Sequence, residues 1–242
     1  MKKLYYILLI FIITVNTGCK LSKQKIPDSI SQSEALDSNE SIKHEIDNIA
    51  NKLIKSKYNI GLVVAVLHNN ETNIYTYGYS DKRKKNLMNE NTVIGIGSNT
   101  KMLVNSLGLI LESKGLINFN ETIGDILPKS IDYKDDDVRD ITLRELTLHT
   151  SGLPREPGDR KTQKSMVRYA FTGKNIYEHI DKKYMYDYLT DLEIDKKNTT
   201  YSNIGSGLLA YLFTIKTNKS LNQLLEEHLF QPLGMINTTL IL

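Results

Sequence analysis

A chain of 242 residues, 40% of them hydrophobic, is long enough to bury a core and too apolar for wholesale disorder. Its 24% of charged residues does not suit a multi-pass membrane protein. The 31 Lys and Arg against 28 Asp and Glu leave a formal charge of +3, too weak a balance to point to nucleic acid or a strongly anionic surface as partner. One cysteine excludes an intrachain disulfide and a multi-cysteine metal site.

Residues 1–18 read as a secretory signal: Lys2 and Lys3, an apolar run from Leu4 to Ile13, then small and polar residues. The run falls short of the roughly 20 residues a membrane-spanning helix needs. Cys19 directly follows Thr17-Gly18, which resembles the lipobox of bacterial lipoproteins, although Asn16 stands where that pattern usually has leucine. The resemblance implies a diacylglyceryl group on Cys19 and anchoring to a membrane of the bacterial cell envelope. An ordinary cleaved signal with an incidental cysteine is the alternative. Residues 19–40 then make a lipidated cysteine and a flexible tether, because their Ser, Lys, Gln, Asp and Glu cannot bury enough apolar surface to order themselves.

From residue 41 onward the pattern predicts a folded domain, 41–242. Ile42, Ile46, Ile49 and Leu53 recur at helical spacing over Ser41 to Lys57. Ile60 to Leu67 is a β-branched run, Asn69-Asn70 offers a turn, and Tyr75, Tyr77 and Tyr79 alternate, which predicts a hairpin. Residues 81–91 are charged and irregular and are expected to form a loop. Over Asn99 to Lys114, Leu103, Leu107, Ile110 and Leu111 line one helical face, and Gly115 supplies a stop. Thr142-Leu-Arg-Glu145 is a capping box for a short helix ending near His149. Ile204, Leu208, Tyr211, Leu212 and Ile215 mark another helix, and Ser220-Leu-Asn-Gln223 caps one more. Two early strands thus precede an almost wholly helical remainder, and a lone hairpin is marginal without further cover.

Chemistry concentrates at Ser98-Asn-Thr-Lys101, where an extended run gives way to a helix. The three-residue separation places Ser98 and Lys101 on one helical face. A serine at a helix N-terminus gains a positive dipole end and free backbone N–H groups for an oxyanion, and a nearby desolvated lysine can accept a proton. Taken alone, Ser-x-x-Lys arises often by chance and more often marks a plain helix cap.

Its surroundings are more specific. Ile94-Gly-Ile-Gly-Ser-Asn-Thr-Lys101 resembles the nucleophile motif of class C β-lactamases and the related penicillin-binding proteins, D,D-peptidases and esterases. Gly115 to Pro128, the stretch Ile141-Thr-Leu-Arg-Glu-Leu-Thr-Leu-His-Thr-Ser-Gly-Leu-Pro154, then Tyr201-Ser-Asn203 and Pro232-Leu-Gly-Met235 match later segments of that family in order. The resemblance spans about residues 42–240. It implies an α+β, β-lactamase/transpeptidase-like fold with an N-terminal helix and hairpin plus a mostly helical domain.

The resemblance also implies roles. Ser98 would be the nucleophile of an acyl-enzyme, Lys101 would help deprotonate it and stabilise a tyrosinate, and Tyr201 would be the general base and acid. Asn203 would hydrogen-bond the substrate's amide, and the Ser98 N–H would give half an oxyanion hole. The implied activity is a serine hydrolase working near the cell envelope on an amide, ester or lactam, with a small-molecule or peptidoglycan-like substrate and with no metal or organic cofactor. The His-Thr-Ser-Gly form looks more like peptidase and esterase relatives than dedicated class C β-lactamases. The family's third motif, Lys-Thr-Gly or His-x-Gly, has no match, and Lys196-Lys-Asn-Thr-Thr replaces the usual Pro-Gly turn before Tyr201. The expectation is therefore a domain lacking its C-terminal sheet strands, with an inactive remnant or a non-catalytic surface binding module as the alternative.

Other candidates read as structural. His149 is expected in a helix and turn, Asp135-Asp-Asp137 as a solvated turn, and Tyr184-Met-Tyr-Asp-Tyr188 as helix packing. Gly95-Ile-Gly97 lacks the third glycine of a dinucleotide fingerprint, and Asp81 to Lys85 is too short a charged loop to bind nucleic acid.

Overall fold

The computed structural model describes residues 39–55, 59–68, 70–195 and 199–240. The signal, Cys19, nearly all of the tether, Asn69 of the hairpin turn and Lys196-Lys-Asn198 lie outside the described residues. The described chain divides into two compact bodies, one ending at Ile94 and the other beginning at Gly95.

In the first body, α1 (Asn39–Ile54) lies against an antiparallel pair, β1 (Gly61–His68) and β2 (Glu71–Asp81). The register sets Leu62 opposite Tyr77 and Val64 opposite Tyr75, so these four share one face. Tyr77 donates to Asp47 Oδ1 of α1 at 2.6 Å, which fixes the helix on that face, and Lys43 pairs with the same carboxylate. The helix side predicted from Ile42, Ile46, Ile49 and Leu53 is only half used. Ala50 is buried, whereas Ile49 and Leu53 are exposed. Gly61 and Gly78 are paired across the hairpin, and a Cβ on Gly78, whose φ is +71°, would meet the Ile60 carbonyl at 2.3 Å. The expected loop at 81–91 proves partly paired: β3 (Asn86–Leu87) adds a short third strand to β2 across a bulge. Its signal was hidden because two residues show no alternation.

The second body is helical. A 3₁₀ turn (Gly97–Asn99) leads into α2 (Thr100–Ser113), followed by α3 (Ile123–Ile126), α4 (Asp136–Arg139), α5 (Leu143–Leu148), α6 (Arg160–Thr172), α7 (Lys182–Asp191), α8 (Asn203–Thr217) and α9 (Leu221–Leu225), which runs into a π-helical turn (Glu226–Phe230). Gly115, at φ +69°, ends α2: its N–H reaches the Glu112 carbonyl and that of Leu116 reaches Leu111. The two capping boxes read from sequence, Thr142 with Glu145 and Ser220 with Gln223, are present, and Thr122 with Asp125 makes a third.

Leu107 and Leu111 of α2, Leu143 and Leu146 of α5, and Leu208, Leu212 and Phe213 of α8 are fully buried in one core. A Cβ on Gly108 would sit 2.8 Å from the Phe213 ring, so that glycine sets how closely α2 approaches α8. Asp135 corrects the expectation of a solvated turn. Its carboxylate caps α4 through the Asp137 N–H and accepts from the Ile194 N–H, while Val138 behind it is buried. Tyr184 and Tyr188 stack within α7 and Met185 is buried, as the packing reading expects.

Candidate active site

Ser98 lies exposed in the 3₁₀ turn, reached through Gly97 at φ +53°, and Lys101 occupies the first turn of α2. The second half of the site comes from the segment entering α8. Ser202, almost fully buried, is its cap: its Oγ accepts from Gly205 N–H at 2.9 Å and donates to the Pro154 carbonyl at 2.7 Å. Two further bonds tie the same segment to residues 149–155. Ser202 N–H donates to His149 Nδ1 at 3.2 Å, and Asn203 N–H donates to the Arg155 carbonyl at 2.9 Å. The His-Thr-Ser-Gly-Leu-Pro stretch thus acts as a cradle that fixes Tyr201 and Asn203 on either side of Ser202.

These supports bring the four predicted residues together. Lys101 Nζ donates to Asn203 Oδ1 at 2.6 Å and lies 4.7 Å from the centroid of the Tyr201 ring. Hydrogen bonds from Lys101, first, and from Ser98 hold the Tyr201 phenol below the usual tyrosine range, helped by the charges of Lys101 and Arg155 and opposed by slight burial. The Arg155 guanidinium lies 5.4 Å from the same ring. Ser98 and Lys101 thus both act on the Tyr201 phenol, and Lys101 links that ring to Asn203.

Sequence reasoning left other parts of the site unassigned. His149 takes a left-handed conformation at the end of α5, at φ 59°, and tilts against Tyr201 with ring centroids 4.7 Å apart. Because its Nδ1 accepts a backbone N–H, the ring is neutral with its proton on Nε2. Burial, and next the Lys101 charge, hold its pKa below the ordinary histidine value. It is a support, as the sequence reading held. Glu156 Oε1 accepts from Asn203 Nδ2 at 2.5 Å and from the Tyr177 hydroxyl at 2.9 Å. The only signal for Glu156 was a charge directly after Ser-Gly-Leu-Pro-Arg, and Tyr177 gave none.

A cavity of about 450 Å³ opens behind Lys101 and Asn203, walled by Val104, Met185, Ile204 and Ala210. Among the described residues no group of three or more His, Cys, Asp or Glu is placed to hold a metal ion, and no helix is long and apolar enough to cross a membrane.

Comparison with known proteins identifies the family. The family model described as Beta-lactamase matches residues 46–242. The chain belongs to the β-lactamase family. It is 27% identical over 195 residues to a β-lactamase of Providencia stuartii, covering 80% of this chain and 46% of the relative. The D-alanyl-D-alanine-carboxypeptidase/endopeptidase AmpH of Escherichia coli (strain K12) is 24% identical over 198 residues, covering 80% and 49%. Among solved structures, a class C β-lactamase from Rhodobacter sphaeroides superposes with a TM-score of 0.60 at 21% identity, covering 79% of this chain and 48% of that one. The D-alanine carboxypeptidase AmpC from Burkholderia cenocepacia gives 0.62 at 19%, covering 83% and 50%. The fold is thus the α+β, β-lactamase/transpeptidase-like one that the family resemblance implied. The chain spans about half the length of the curated relatives it matches.

Proposed function

We propose that the protein is a serine hydrolase of the β-lactamase family, acting through a Ser98 acyl-enzyme on an amide, ester or lactam. The observation that carries this reading is the cluster of Lys101 with Asn203, at 2.6 Å, and with the Tyr201 ring, at 4.7 Å, one turn from Ser98; the Tyr201 phenol held below the usual tyrosine range agrees with it. A phenolate there is positioned to take the Ser98 Oγ proton as Oγ bonds to the substrate carbonyl carbon. The tetrahedral oxyanion receives the Ser98 backbone N–H, and the positive end of α2 stabilises it. Collapse expels the leaving group, which takes the proton from Tyr201, and water then releases the acyl group by the reverse path. Lys101, held by Asn203, keeps the phenolate charge compensated throughout.

The cavity beside Lys101 has the size and apolar walls of a small-molecule subsite, which supports a small-molecule or peptidoglycan-like substrate. With Cys19 lipidated after removal of residues 1–18, the tether of residues 19–40 would hold domain 41–242 at a bacterial envelope membrane. Chromogenic ester hydrolysis tests the reading. Ser98→Ala is expected to lose at least about a hundredfold in rate. Lys101→Met removes the main cause of the low Tyr201 pKa, so the acid limb of the pH–rate profile should move to higher pH. A Ser98→Ala variant as fast as the wild type would sink the proposal.

A further inference from the structure

Asn203 is held between two side chains of opposite hydrogen-bonding character. Lys101 offers only donors, so the carboxamide oxygen must face it, at 2.6 Å. An ionised carboxylate offers only acceptors, so Nδ2 must face Glu156 Oε1, at 2.5 Å. The carboxamide orientation is thereby decided by its neighbours' chemistry, independently of how oxygen and nitrogen are told apart. Tyr177 donates to the same Oε1. Burial first, and next Glu156, push its pKa up to about 12, so it remains a donor at neutral pH.

Glu156 also belongs to the stretch whose Arg155 carbonyl accepts the Asn203 N–H, so one short segment holds both the backbone and the side chain of Asn203. The other carboxylate oxygen, Oε2, is buried and accepts no hydrogen bond among the described residues. An unsatisfied buried acceptor lowers stability, which argues that the carboxylate is kept for what it does to Asn203.

We propose that Glu156 is a positioning residue for acyl transfer. By holding one Nδ2 hydrogen of Asn203, it aims the other at the carbonyl oxygen of an acylamino group on the acyl donor. The proposal rests on the acyl-transfer reading of the site. The other charged and titratable groups of the site are Lys101 on α2, His149 at the end of α5, Arg155 next to Glu156 in the chain, Tyr177 before α7, and Tyr201 before α8. None of them other than Tyr177 bonds Glu156 directly among the described contacts.

Two measurements on the full chain test it. The first is the NMR signal of the Asn203 side-chain amide, assigned by its loss in Asn203→Ala. In the wild type one proton should be shifted downfield and protected from exchange. Glu156→Ala should return it to ordinary asparagine values, and Glu156→Gln, which keeps a carbonyl acceptor, should preserve it. An unchanged signal in Glu156→Ala overturns the proposal. The second compares acylation by benzylpenicillin, which carries an acylamino group, with p-nitrophenyl acetate, which has none. Glu156→Ala should lose about tenfold more on benzylpenicillin than on the acetate, through a higher half-saturating concentration, and Glu156→Gln should recover to within about threefold. Equal losses on both reagents indicate a merely structural role and overturn it. If the wild type reacts with neither, the acyl-transfer reading itself fails and takes the proposal with it, whatever the amide signal shows.

Discussion

In residues 39–94, one helix covers one face of a three-stranded sheet, and Ala50 is the buried apolar side chain among the described residues, while Leu67, Ile74 and Leu87 stand exposed. In residues 95–240, short capped helices enclose a continuous core running from Val104 to Phe230. Ser98, Lys101, Tyr201 and Asn203 all lie in the second body, on segments anchored by that core: Lys101 sits one turn above Val104, and Asn203 directly precedes the buried Ile204. The exposed turn that carries Ser98 can be held in place only where the element behind it is immobilised. The first body, with its half-used helix face, offers no such support.

That contrast yields a ranked set of expectations. Phe213→Ala removes a fully buried ring facing Gly108 and should cost about 3–5 kcal/mol in chemical denaturation. An intermediate effect comes from Asp159, which caps α6 and accepts from Thr162 and Tyr184, the latter through a very short bond. Burial pushes its carboxyl up, but the hydrogen bonds from Tyr184, Thr162 and the Lys161 N–H together outweigh it and hold the carboxyl at about 2. A depressed acid contributes stability above its unfolded pKa of 3.8 and loses it as pH falls toward 2. Discounted for solvent screening, the loss is on the order of 1–2 kcal/mol, and Asp159→Asn should flatten that part of the stability–pH curve. Leu67→Ser on the first body, where the side chain is 74% exposed, should shift stability by no more than about 0.5 kcal/mol. If Leu67→Ser cost as much as Phe213→Ala, the contrast between the two bodies would collapse.

Legibility in the sequence followed the range of the interactions. Capping boxes such as Thr142 with Glu145 and the Gly115 stop were readable because donor and acceptor lie within a few residues. α6 escaped notice for an instructive reason. Its buried positions are Thr162 and Ser165, whose hydroxyls are satisfied by Asp159 and His179, so the inward face carries no apolar period. Likewise Ser98, Lys101, Tyr201 and Asn203 announced themselves through local motifs. Glu156 and Tyr177 did not, because their partners are 47 and 21 residues away and meet them only in the folded chain.

The central claim, that Ser98 becomes acylated with Tyr201 as its proton acceptor, is tested most directly by mass mapping. The 242-residue chain would be exposed to benzylpenicillin or a fluorophosphonate and digested, and the modified peptide sequenced. The account predicts a single adduct on Ser98, strongly diminished in Tyr201→Phe. An adduct on any other residue, or one on Ser98 formed equally fast without the Tyr201 hydroxyl, would contradict it.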